Sequence, residues 1–288
     1  MSDVLTIARL GLREAVRRRV LPVVLALSVA FLVLYWLGVG VVREDAVPTG
    51  GALGPAVAEQ VEPALDAATT GVLLGLASFA TLFLGATLAI FLTAGAIRGD
   101  AERGLLQPLL VRPPGRLRVL AGRWLTATAV AVPYTLVLHL GATSIMRWRG
   151  GTAPDAALLS AVELSLAVGL IALLSLAASV LLSQVAGGIG AFMAVGAGLV
   201  GSLLGQIGDA IDSGGLQRAA DVVAIVLPFE GLYEDVLHRL TADSREPLLS
   251  LGPFGGADPA GPAQLAWTAV WALAVAAIAS HRFARQDL

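Results

Sequence analysis

Six apolar runs, each long enough to cross a bilayer as a helix, constrain this chain more than anything else in it. Crossing a hydrocarbon layer ~30 Å thick takes about 20 apolar residues. Runs of this kind lie at 20–42, 71–97, 120–145, 156–182, 186–206 and 264–280. The second is long enough to tilt or protrude, and the last is near the lower limit. Only 14% of the residues are charged, against about 25% in a soluble domain. The expected fold is an all-α integral membrane protein, with one transmembrane domain spanning 1–288. The first run is longer than the apolar region of a cleavable signal and lacks a clear cleavage site, so it reads as a retained anchor.

Residue types the chain lacks exclude several functions. It has no cysteine, which removes disulfides, thiolate metal sites and cysteine nucleophiles. All 19 basic residues are arginine. A phosphate-binding loop of the G-x-x-x-x-G-K-[ST] kind needs its lysine, so the chain has no ATP site of that type. The three histidines and three methionines are not clustered, so no metal site is expected and copper handling is unsupported.

Arginine placement sets the expected orientation. Arg9, Arg13, Arg17, Arg18 and Arg19 precede the first run. Arg98, Arg103, Arg112, Arg116, Arg118 and Arg123 cluster between the second and third, and Arg282 and Arg285 follow the last. The opposite side holds Arg43, Arg147, Arg149, Arg218, Arg239 and Arg245, and nine acids lie between Asp209 and Asp258. Both termini are therefore expected to be cytoplasmic.

Outside the spans, residues 1–19 form an amphipathic pattern. Leu5, Ala8, Leu12 and Ala15 share one face, and Arg9, Arg13 and Arg17 form a stripe on another. Such a helix suits a membrane surface, with arginine toward anionic headgroups; flanking charge that obeys the positive-inside rule produces the same stripe. In 43–70, Glu59, Glu62 and Asp66 could share a short helix with a solvated acidic face. The extracytoplasmic loop is expected at 207–263. Its apolar run at 222–228 is too short to span, and Leu232, Val236 and Leu240 recur every four residues beyond it. This loop reads as a re-entrant or interfacial hairpin followed by an extracellular helix.

Within the spans, His139 and Glu163 are the intramembrane polar candidates, since ionisable groups in lipid are costly and mark function by default. Each could face a cavity or sit near headgroups. So few buried acids and bases disfavour a proton-coupled transporter. No Ser/His, His/Glu or paired-Asp cluster supports an intramembrane enzyme, and no catalytic residue is assigned. Gly190, Ala194, Gly198 and Ser202 form a small-residue stripe that lets helices approach closely, within the subunit or across a dimer.

The segment 98–118 interrupts two spans with charge, proline and leucine. Asp100 can cap a helix, with Glu102 in its first turn. Leu105, Leu106, Leu109 and Leu110 share a face. Pro108 limits the helix and Pro113-Pro114 ends it. The exposed leucine face needs a partner or lipid.

This segment resembles the signature of ABC-2-type transporter permeases, particularly the branch of the nitrous-oxide-reductase maturation permease. The residues that carry the resemblance are Glu102, Gly104, Leu109-Leu110, Arg112-Pro113, Arg116 and Gly122-Arg123. Leu105 stands where the family commonly has threonine, and Arg123 where it has lysine. The amphipathic N-terminus, the six spans, Pro228-Phe229 and the ending "RFARQDL" extend the resemblance over most of the chain. It implies a permease that dimerises in a prokaryotic plasma membrane and binds two copies of a separate ABC ATPase. The coupling helix, carrying Asp100, Glu102, Arg103, Gly104, Leu105, Leu106, Leu109, Leu110, Arg112, Pro113 and Arg116, would contact that ATPase. ATP and Mg would be bound there, with no cofactor in this chain. The expected function is ATP-driven export of an unidentified substrate. The alternative is transmission of ATP-driven motion to an extracytoplasmic envelope partner, with no solute moved. No nucleic-acid partner is expected.

Overall fold

A computed structural model describes residues 2–17, 20–45, 55–94, 116–149, 156–241 and 261–285. The regular elements among them are all helical. They are α1 (Ser2–Arg17), α2 (Val20–Asp45), α3 (Pro55–Thr93), α4 (Arg116–Trp148), α5 (Ala157–Leu181), α6 (Gln184–Ala210), α7 (Gly214–Val226), α8 (Phe229–Thr241) and α9 (Pro262–Ala284). Six are long and apolar enough to span a membrane: α2, α3, α4, α5, α6 and α9.

Cross-helix contacts show alternating direction. Tyr35 Oη–H donates to the Leu73 carbonyl, and Arg43 reaches Thr70, so α2 and α3 are antiparallel. Trp124 Nε1–H donates to Gly169 O, and Ser165 Oγ–H donates to Val132 O, so α4 and α5 are antiparallel too. Residues 20, 93, 116, 181, 184 and 284 therefore lie at one end, the near end. Residues 45, 70, 148, 157 and 210 lie at the far end.

At the centre is α5, with 67% of its most apolar window buried, against 17% for α2 and 6% for α9. Its sequence explains this. Ser160, Ala161, Ser165, Ala167, Gly169, Ala172, Ser175 and Ser179 are all buried, and small residues let neighbouring backbones approach without relying on apolar burial, which is weak between helices in lipid. Span hydroxyls bond their own helix. Ser78, Thr81, Thr93, Thr135 and Ser165 each donate to the carbonyl four residues back. That local bond satisfies a polar group where water is absent.

The structure adjusts several expected boundaries. The short acidic helix expected in 43–70 is not a separate element. Its sequence is continuous with the second span in the 39-residue α3, about 58 Å long at 1.5 Å per residue. α4 starts at Arg116, four residues before the expected span. α6 runs four residues past Gln206 and shortens the far loop accordingly. The helix after 228 does not stand apart as an extracellular element. Leu232, Val236 and Leu240 of α8 are buried with Phe229, Tyr233 and Leu237 in the main core.

α1 lies against α4. The described contacts fall on Ala8 and Gly11. Gly11 is buried against Thr126, whose hydroxyl also faces the Ala8 carbonyl at 3.4 Å, while Leu12 is partly exposed. A Cβ on Gly11 would sit 2.8 Å from Thr126 Cγ2. The absent side chain lets α1 lie flat on α4, and an apolarity count does not register it.

Candidate functional site

The far end is built around a helical hairpin, α7–α8, inserted against α6. The hairpin follows from small residues on α6. Gly208 lies beside Gln217, Gly205 beside Ala220, and Gly201 beside Val223. These pairs run in opposite directions along the two helices, so α7 folds back along α6. The turn reaches Phe229, whose ring faces Gly198, where a Cβ would stand 2.7 Å from Cζ. Gly198 is 13 residues inward from the α6 C-cap at Ile211, about 20 Å along the axis. α8 then returns to the far end.

Of the predicted small-residue stripe, Gly198 and Ser202 take part in this seat. Gly190 lies near Leu182, and Ala194 packs against the main core. The stripe that receives the hairpin is Gly198, Gly201, Ser202, Gly205 and Gly208. Spacings of three and four, not strictly four, put all of these on one face.

Two polar clamps hold α8. In the first, Arg239 Nε–H donates to both carboxylate oxygens of Glu163 on α5, at 3.0 and 3.1 Å, and Nη2–H donates to Asp235 at 2.9 Å. Glu163 and Asp235 are buried, and Arg239 is half-buried. Glu163 thus ties α8 to the central helix. In the second, Ser202 Oγ–H donates to Glu234 Oε1 at 2.7 Å, and Gln206 Nε2–H donates to Ser202 at 3.4 Å. Glu230, one turn before Glu234, is buried with Oε2 unpartnered. Burial and the neighbouring Glu234 carboxylate push the Glu230 carboxyl up to about 8.

The hairpin also meets the last span. Trp267 Nε1–H donates to Ile225 O at 2.9 Å. Val222, Ile225 and Val226 of α7 remain exposed, so α7 is the outer layer and α8 the inner one.

The remaining predicted site residues are dispersed. His139 is fully buried on α4 with both ring nitrogens unpartnered. Arg9 and Arg13 are exposed on α1, and Arg17 closes that helix. Asp100, Glu102, Arg103, Gly104, Leu105, Leu106, Leu109, Leu110, Arg112 and Pro113 lie outside the described residues, and Arg116 opens α4. Among the described residues, no three His, Asp or Glu side chains are grouped to hold a metal ion.

Arg239, Asp235, Glu230 and Glu234 were not singled out by sequence. The available signal was their spacing: Asp235/Arg239 is an i, i+4 ion pair and Glu230/Glu234 an i, i+4 pair of like charge.

Fold and site together define a multi-pass membrane protein with a hairpin held to its spans by polar clamps. Residues 5–288 match the sequence profile of the ABC-2 family transporter protein. The chain belongs to that family and is a membrane component of a transporter. No curated protein sequence matches it.

Proposed function

We propose that the chain is the permease subunit of an ATP-binding cassette exporter, working as a dimer with two copies of a separate ATPase. ATP and Mg are bound and hydrolysed in that partner. The observation that carries this reading is where segment 95–115 is strung: between the near ends of α3 and α4. Those two helices flank α5 and contribute Leu82, Leu88, Ile90, Ala127 and Ala131 to the same core as α5 and α8. A push on the segment at the ATPase would reach the hairpin through two long helices and one buried neighbour.

In this reading the arginine-rich near end is cytoplasmic, in a prokaryotic plasma membrane. The lightly buried α2 and α9 leave apolar faces for a second copy or lipid. The hairpin at the far end is the element that conformational change repositions.

The test is co-purification and ATPase assay with candidate ABC ATPases from the same genome. Leu109→Arg and Glu102→Arg should each reduce complex recovery and permease-stimulated ATPase activity at least about tenfold, as expected for a charge placed in a desolvated contact. Unchanged complex and activity in both variants would sink the coupling assignment. If ATPase coupling survives but only an envelope protein, and no solute, stimulates it, the force-transmitting alternative holds.

A further inference from the structure

α2 and α4 run in the same direction and meet along one seam. Ser28 and Tyr134 share a hydrogen bond, Leu32 lies over Gly141, and Gly40 lies under Arg149. The last two pairs keep one register, so the seam reaches the far end. Arg149 continues the final turn of α4, where its backbone N–H donates to the Ile145 carbonyl at 3.0 Å. Its guanidinium lies over the Trp36 ring, 3.8 Å from the centroid. A Cβ on Gly40 would stand 2.8 Å from Nη1 and 3.2 Å from Nη2. The indole and the missing side chain together form a seat that holds the fork against α2.

A cation held this way lacks a counter-charge. Among the described residues no carboxylate pairs with Arg149, and its buried Nε has no acceptor. Arg43, three residues beyond Gly40, is by contrast 3.5 Å from Asp66 and 3.1 Å from the Thr70 hydroxyl. Glu44 and Asp45 close α2, so this end is not a broadly positive surface that gathers anions at long range. What Arg149 offers is a planar fork, which matches two oxygens of a phosphate group.

Inward from the fork the surface is apolar. Val29, Val33 and Trp36 share the face of α2 that leads to Gly40, and all three are exposed. From 29 to 36 this strip runs about 10 Å along the helix. Only 17% of the apolar window of α2 is buried, so the strip faces hydrocarbon when the chain lies in a bilayer. A phosphate-matching fork above an apolar strip has the polarity of a phospholipid.

We infer that Arg149, seated on Trp36 and Gly40, binds the phosphate of a phospholipid in the far-end leaflet, with an acyl chain along Trp36, Val33 and Val29. The site depends on the chain lying in a membrane and not on the ATPase coupling proposed above, so each can fail alone.

The experiment is native mass spectrometry of the full chain in detergent. Three lipids with the same acyl chains are offered: phosphatidylglycerol, phosphatidylcholine and a glucosyl diacylglycerol, which has no phosphate. The parent should retain both phospholipids several-fold better than the glycolipid. Arg149→Gln should lower phospholipid retention about fivefold, the worth of one arginine at an anionic surface. Gly40→Ala leaves every charge in place but puts a methyl group into the seat, and it should erode the same preference. If Arg149→Gln does not fold, Trp36→Leu, which removes the ring beneath the fork, takes its place with the same expectation.

Equal retention of the three lipids would reduce the strip to ordinary boundary surface and overturn the proposal. So would a preference that survives Arg149→Gln, or one that Gly40→Ala leaves untouched, since the seat would then not be what selects phosphate. Retention of none of the lipids would overturn it as well, by showing that they do not reach this face. Inorganic phosphate is the remaining arm. It should not displace bound phospholipid, because it has no chain to lie on the strip; full displacement would assign the fork to a soluble phosphate and overturn the lipid site.

Discussion

Arg239 serves two carboxylates at once, so removing it costs more than one bond. Arg239→Leu would leave Glu163 and Asp235 charged, buried and unpaired, the expensive half of a broken ion pair. Because the guanidinium is half-exposed, the expected loss is below the fully buried case, about 2 kcal/mol. That corresponds to a fall in melting temperature of about 5 °C. Glu163→Gln keeps a carbonyl acceptor and should cost less. Thermal melts of the purified protein check both, and equal losses in the two variants would mean that the Arg239–Glu163 charge pair is not what matters. Glu230 gives a pH signature of defined sign. Its carboxyl is raised from 4.5 to about 8 in the fold, so the folded state holds a proton that the unfolded chain releases. Its contribution is full below about pH 4.5 and is lost progressively as pH rises to about 8. The difference in melting temperature between parent and Glu230→Gln should shift toward the variant across that window and be flat above it. A difference independent of pH would show that Glu230 does not titrate there.

The hairpin is where element-scale reading of the sequence succeeded in part. Apolar length made the six spans legible, because crossing a bilayer demands it. The run at 222–228 was legible as too short to cross. Deep burial of α8 was not, because its apolar residues share the helix with Glu230, Glu234, Asp235 and Arg239, and a mixed helix reads as a surface one. Only the partners of those charges on α5 and α6 make burial tolerable, and pairing at a separation of 76 residues leaves no local trace. The α6 seat and the Gly11 contact were hidden for a related reason: a glycine contributes by what it lacks. The seat makes a direct prediction. Gly198→Ala should cost about 1–3 kcal/mol by overpacking, and Phe229→Ala about 3–5 kcal/mol by leaving a cavity. Together they should cost clearly less than the sum, since the new methyl enters space that the ring vacated. Strict additivity in that double-mutant cycle would mean that Phe229 is not seated on Gly198.

At the scale of the whole molecule, charge and architecture must agree on which end faces the cytoplasm. Alternating helix direction puts the ends of α3, α9 and α5 together with the starts of α2, α4 and α6, so one label on any of them fixes all. In the proposed orientation, arginine crowding makes that end the cytoplasmic one. The chain contains no cysteine, so single substitutions report without background. Trp148 at the far end is 84% exposed, and His281 in the last turn of α9 is exposed. In intact cells a membrane-impermeant maleimide should label Trp148→Cys and spare His281→Cys, which should react only after permeabilisation. The reverse pattern would place segment 95–115 on the side without ATP. No ATPase could then seat there, and the exporter reading would fall while the six-span fold and the clamped hairpin stood unchanged.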